Sequence, residues 1–147
     1  MNTKEFWSLI DTSISKNNLE QSEIIEDIQR QLSSYSIKDI REFEFIFKRK
    51  TEKVKLSKVL ESTSVLFNKE VFYKEGTSWS KYDFFIGWLI MQGSEFYNFA
   101  LEDHISFNDL IQNVYNSDIN KCLCEEALHI ASSAYEFKTG RNYFEDF

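Results

Sequence analysis

Not one of the 147 residues is proline, where average usage would place roughly seven in a chain of this length. Proline removes an amide hydrogen and clashes with the turn before it, so helix interiors tolerate it least. Its absence leaves the chain open to long helices. The order of the apolar residues then decides whether helices form.

That order is helical almost throughout. Behind Thr3, residues Phe6, Trp7, Leu9, Ile10 and Ile14 predict a first helix that Asn17 and Asn18 end. Asn18 and Gln21 form a capping-box pattern for a second helix, whose Ile24, Ile25, Ile28 and Leu32 recur at 3-4 spacing. Its opposite face is acidic: Glu20, Glu23, Glu26 and Asp27. Ser36 and Asp39 open a third helix carrying Ile37, Ile40, Phe43, Ile46 and Phe47. The basic run from Lys48 to Lys58 reads as a solvated helix end or loop, after which Leu56, Val59 and Leu60 resume the spacing. A loop is expected at residues 74–78, with Ser80 and Asp83 capping the next helix. Phe84, Phe85, Trp88, Leu89 and Met91 make that helix apolar nearly all round, the mark of a core helix. Gly93 stands where a helix stop is expected, and Ser106 with Asp109 opens a later helix. A long last helix is predicted from about Asn120 to Lys138, stopped by Gly140. With 42 % apolar and 16 % aromatic residues the composition is globular. Residues 1–147 are expected to form a single all-α domain, a compact bundle of about six or seven helices.

Several residue groups invite a chemical reading. Glu126 and His129 form an E-x-x-H pair on one predicted helix face, so carboxylate and imidazole there could share a metal ion. A di-iron bundle needs a second such pair, and the other histidine, His104, lacks that partner spacing; a packed or surface histidine is the plainer reading. Cys122 and Cys124 would point about 200° apart on a helix, which excludes a bond between them and suits reduced thiols used for packing. His104 follows Glu102 and Asp103 in what reads as an exposed loop. The chain has no glycine-rich phosphate loop, G-x-S-x-G elbow or zinc-ligand cluster. No cofactor, metal or catalytic residue is therefore expected. A net charge of −7 disfavours nucleic acid as the main partner and suits capture of a basic protein. Trp79 and Tyr82, at the rim of the aromatic helix, are the expected exposed anchors, since these residue types dominate interface hot spots. The N-terminal residues resemble neither a signal peptide nor a membrane anchor, and no apolar run approaches membrane-spanning length. A cytoplasmic protein is expected.

The motifs resemble one family. They are Glu5-Phe6-Trp7 at the start, Gly76-Thr77-Ser78, then Phe85, Trp88-Leu89-Ile90, Gln92-Gly93, Tyr97, Ala100-Leu101 and Asp103. Glu126, Ala131, Ala134-Tyr135-Glu136 and Thr139-Gly140 close the pattern. This is similar to domain-of-unknown-function family 4240, small bacterial proteins without an established activity. The resemblance implies a shared fold and a bacterial origin. The chain departs from the family pattern at Trp79 and Ser80, where two acidic residues are usual, and at Gly87, where an arginine is usual.

Together these features predict a non-enzymatic bacterial protein-binding module, most specifically an immunity protein that neutralises a toxin. Glu20, Glu23, Glu26 and Asp27 would steer a basic partner, with Trp79 and Tyr82 as anchors. Two alternatives stand beside it: a metal-binding protein or enzyme using Glu126 and His129, and a regulatory domain docking an acidic partner through Lys48–Lys58.

Overall fold

The computed structural model describes residues 1–16, 20–66, 81–115 and 119–147. The described residues are all-α as expected, with nine α-helices and two short 3-10 turns. The count exceeds six or seven partly because a single helical turn follows Gly140. The expected breaks at Asn17 and Asn18, the cap at Asn18, the loop at 74–78 and the cap at Ser80 lie outside the described residues. The chain divides into two compact units, Met1–Arg49 with Glu126–Phe147, and Lys50–Glu125.

In the first unit, α1 (Thr3–Ser15) starts one residue earlier in capping terms than Thr3 suggested. Asn2 is the N-cap: its side chain accepts from the Glu5 amide while Glu5 accepts from the Asn2 amide, each at 2.8 Å. Phe6, Leu9 and Ile10 are buried, and Phe6 meets Phe43 of α3 (Ile37–Lys55) at 4.8 Å between ring centroids. Ser36 caps α3 as predicted, accepting from the Asp39 amide at 3.1 Å. α2 (Gln21–Ser33) buries Ile25, Ile28 and Leu32 and packs chiefly on α1 and on α8 (Ile130–Thr139).

The boundary between the units falls within α3, whose end carries the basic run through Lys55, the helix end that was one of its two expected forms. In the second unit, α4 (Lys58–Leu66) follows a corner at Leu56, which is 88 % exposed although its spacing had placed it on an apolar face. The run is also partly paired: Lys55 lies 3.0 Å from Asp83, and Lys50 lies 5.8 Å from the Tyr97 ring. α5 (Lys81–Met91) is the helix read as core, and every residue from Phe85 to Met91 is buried. Trp88 stacks on Phe85 at 5.9 Å, one turn away, and meets Phe96 and Tyr115 edge-on at 5.9 and 5.4 Å. Phe96 belongs to α6 (Ser94–Glu102) and Tyr115 to α7 (His104–Tyr115), so one indole ties three helices together. Tyr97 is fully buried, and its hydroxyl donates to the Lys50 carbonyl at 2.8 Å. Burial pushes its phenol pKa well above the ordinary range.

Gly93 separates α5 from α6 with φ 103° and ψ 170°. A side chain is strained in that region, which is essentially reserved for glycine. Gly140 ends α8 in the left-handed conformation, φ 71°, with nothing within 4 Å of where a Cβ would stand. Gly93→Ala is therefore expected to cost about 1–3 kcal/mol in urea unfolding, and Gly140→Ala, in open space, only the backbone strain of about 1–2 kcal/mol. A Gly93→Ala chain of unchanged stability would contradict this turn.

The α7 start was misplaced in the sequence reading. Asp103 is its cap, accepting from the Ser106 amide at 3.1 Å and from its hydroxyl at 2.7 Å, so His104 is the first helical residue and not a loop residue. The predicted helix from Asn120 to Lys138 is also interrupted. Ile119–Cys122 and Glu126–His129 are 3-10 turns, and α8 begins only at Ile130. Between them the Cys124 amide, which a continuous helix would have given to the Asn120 carbonyl, donates instead to the Phe84 carbonyl at 2.9 Å. With the break, Cys122 and Cys124 are both buried, where a helix would have placed them on different sides.

Candidate functional site

Within the first unit, Glu20, Glu23 and Glu26 are exposed along α2. Asp27 does not join them. It is 7 % exposed, and its Oδ2 accepts from Ser13 Oγ at 2.7 Å, Lys16 Nζ at 2.7 Å and Gln31 Nε2 at 2.8 Å. Burial alone would raise the Asp27 carboxyl. Donation from Lys16, Ser13 and Gln31, with the Lys16 charge, outweighs it and holds the pKa below the ordinary 3.8. Asp27 is thus a tie between α1 and α2, and of the four acidic residues expected on this face three are exposed.

An aromatic residue stands beside that face. Glu26, Gln29 and Arg30 of α2, with Ser133 and Phe137 of α8, line a cavity of about 390 Å³. Phe137 is 80 % exposed. Spacing had grouped it with the apolar residues of the last helix. The buried arc of α8 runs through Ile130, Ala131, Ala134 and Tyr135, and Phe137 falls about 90° from its middle. On the wheel it lies only about 20° from buried Ile130, so spacing alone could not have shown it exposed.

Trp79 lies outside the described residues, and Tyr82 is half-buried in the first turn of α5, in the other unit.

A second concavity of about 570 Å³ lies between α3 and α9 (Tyr143–Asp146), both in the first unit. Its lining is Ile37, Lys38, Arg41, Glu42, Glu44, Phe45 and Lys48, with Tyr143 and Phe147. Gly140 turns the chain so that Tyr143 and Phe147 pack on Tyr135, at 5.6 and 5.3 Å between rings. Asp146 fastens the turn, accepting from the Tyr135 hydroxyl and, at 2.8 Å, from Arg141. The Arg41 guanidinium lies 4.2 Å over the Phe147 ring, and that of Arg49 lies 5.0 Å over Phe45. Burial raises the Glu44 carboxyl above its ordinary value, opposed by Lys48 at 3.7 Å and by His129. The sequence reading gave this groove no role.

Glu126 and His129 share a 3-10 turn, where residues three apart eclipse one another. Among the described residues no group of three or more His, Cys, Asp or Glu could hold a metal ion. Among those residues no helix is long and apolar enough to cross a membrane.

No curated protein and no solved structure matches the chain. One family model matches residues 1–137, which leaves Tyr143 and Phe147 beyond it. With nearly the whole chain covered, the protein belongs to the family described as protein of unknown function, DUF4240.

Proposed function

We propose that this chain is a protein-binding module of the bacterial cytoplasm that captures a basic partner, and specifically an immunity protein that neutralises a toxin. One observation carries the reading: Phe137 stands exposed next to Glu26, on the flank of a helix that presents Glu20, Glu23 and Glu26. Acidic residues speed encounter with a basic surface, and an aromatic side chain that becomes buried holds the complex together. The net charge of −7 favours the same partner chemistry.

The test is co-expression with the product of the adjacent reading frame. The wild-type chain is expected to restore growth and to co-purify with that product. Glu23→Lys with Glu26→Lys and Phe137→Ser changes only exposed side chains, so the variant should keep its helical circular dichroism and lose rescue. Failure of the two proteins to bind, or full rescue by the folded variant, would remove the reading.

A further inference from the structure

The α3–α9 groove has a different chemistry from the α2 face. Ile37, Arg41, Phe45 and Lys48 fall at positions i, i+4, i+8 and i+11 of one helix, within a stripe about 80° wide and about 17 Å long. Phe45 is 61 % exposed, and Phe147 opposite is also exposed. The groove is therefore an open trough with aromatic walls, shaped for an elongated ligand and not for enclosing a small one.

Its cations are held in an unusual way. Lys38 and Lys48 have carboxylates near them, Glu42 at 3.9 Å and Glu44 at 3.7 Å. Of the arginines, Arg41 lines the groove and lies on the face of Phe147, while Arg49 is outside the lining and borders it by lying on the face of Phe45. Among the described residues no carboxylate stands within ion-pair distance of either arginine. A guanidinium stacked on a ring loses little freedom on binding a carboxylate, and Arg41, which also donates to the Tyr143 hydroxyl, has further N–H groups to offer. In a chain of net charge −7, two such arginines beside apolar walls form a local complement to acidic, apolar chemistry.

We propose that this groove docks an amphipathic helix of a partner protein. Its apolar ridge would lie against Ile37, Phe45 and Phe147, and its flanking carboxylates would meet Arg41 and Arg49. Aromatic residues among cations also suit single-stranded nucleic acid. A nucleic-acid strand carries a charge at every nucleotide and must set some of them against Glu42 and Glu44, whereas a helix can confine its few carboxylates to the arginines, and that decides for the peptide. The inference is independent of the α2 face and needs a different partner chemistry.

The experiment uses the full chain and a labelled designed helical peptide of about 15 residues, with leucines along one face and glutamates flanking them. A control replaces each glutamate with lysine, and an oligothymidylate of similar length tests the nucleic-acid alternative. The glutamate peptide is expected to bind at least about tenfold tighter than either control. Phe45→Ser, a change at an exposed side chain, should weaken it about tenfold, and Arg41→Glu with Arg49→Glu should do the same and favour the lysine peptide. Glu23→Lys with Glu26→Lys should leave it unchanged, which separates this groove from the α2 face. No binding of the glutamate peptide overturns the proposal. So does equal or tighter binding of a control, or unchanged affinity in both folded groove variants.

Discussion

Replacing Trp88 with alanine is expected to remove about 3–5 kcal/mol of stability, the cost of truncating a fully packed aromatic side chain. Trp88 is 3 % exposed, with Phe85, Phe96 and Tyr115 around its indole. Phe107 extends the cluster, lying 6.3 Å from Phe85 and 5.8 Å from Phe96. Domains of this size are stable by only about 5–15 kcal/mol, so one substitution takes a large share. Urea unfolding followed by circular dichroism measures it. A loss below about 1 kcal/mol would contradict the placement of the indole among three helices.

The second large effect is expected at Asp27. Asp27→Ala removes a carboxylate that accepts three hydrogen bonds, two from uncharged groups and one from a lysine, and leaves Ser13 buried without its acceptor. The expected loss is about 2–3 kcal/mol, because hydrogen bonds to a charged group are the stronger kind. Lys16 is half-exposed and returns to water, which keeps the effect from growing further. The acid dependence follows from the direction of the pKa. Asp27 titrates lower when folded than when unfolded, so the folded state holds fewer protons between the two values. Its contribution is complete above the ordinary aspartate value of 3.8 and is lost as pH falls through the lower folded value. Asp27→Asn should therefore remove part of the wild-type loss of stability below that point. Asp103, held low by its bonds from the Ser106 hydroxyl and amide, leaves some acid dependence in place. An Asp27→Asn chain with unaltered acid dependence would contradict the buried tie.

The elements that sequence located well are those decided by local chemistry. Ser36 caps α3 through the Asp39 amide three residues on, and Gly140 stops α8 because its backbone angle excludes side chains. The burial of α5 was legible because a helix apolar on all sides has no face to give to water. Asp27 was not legible. On a helical wheel it falls between Glu23 and Glu20, inside the acidic arc, and only Ser13 and Lys16, brought in by α1, draw it inward. The interruption before α8 was hidden because Leu123, Ala127 and Ile130 keep helical spacing across it, while the competing bond to Phe84 is distant in sequence. The site was the least legible part. Phe137 passed for core because residue type does not say which way a side chain faces. The α3–α9 groove needs a chain reversal at Gly140 that pairs residues about 100 positions apart.

The central claim is that the acidic α2 face steers a basic partner and Phe137 retains it. The most direct measurement is the binding kinetics of wild-type and variant chains with the product of the adjacent reading frame, over a range of salt. Glu23→Lys with Glu26→Lys is expected to slow association and flatten its salt dependence, with dissociation little changed. Phe137→Ser should leave association nearly intact and speed dissociation about thirtyfold, equivalent to about 2 kcal/mol. Unchanged association and dissociation rates in these two folded variants would contradict the claim.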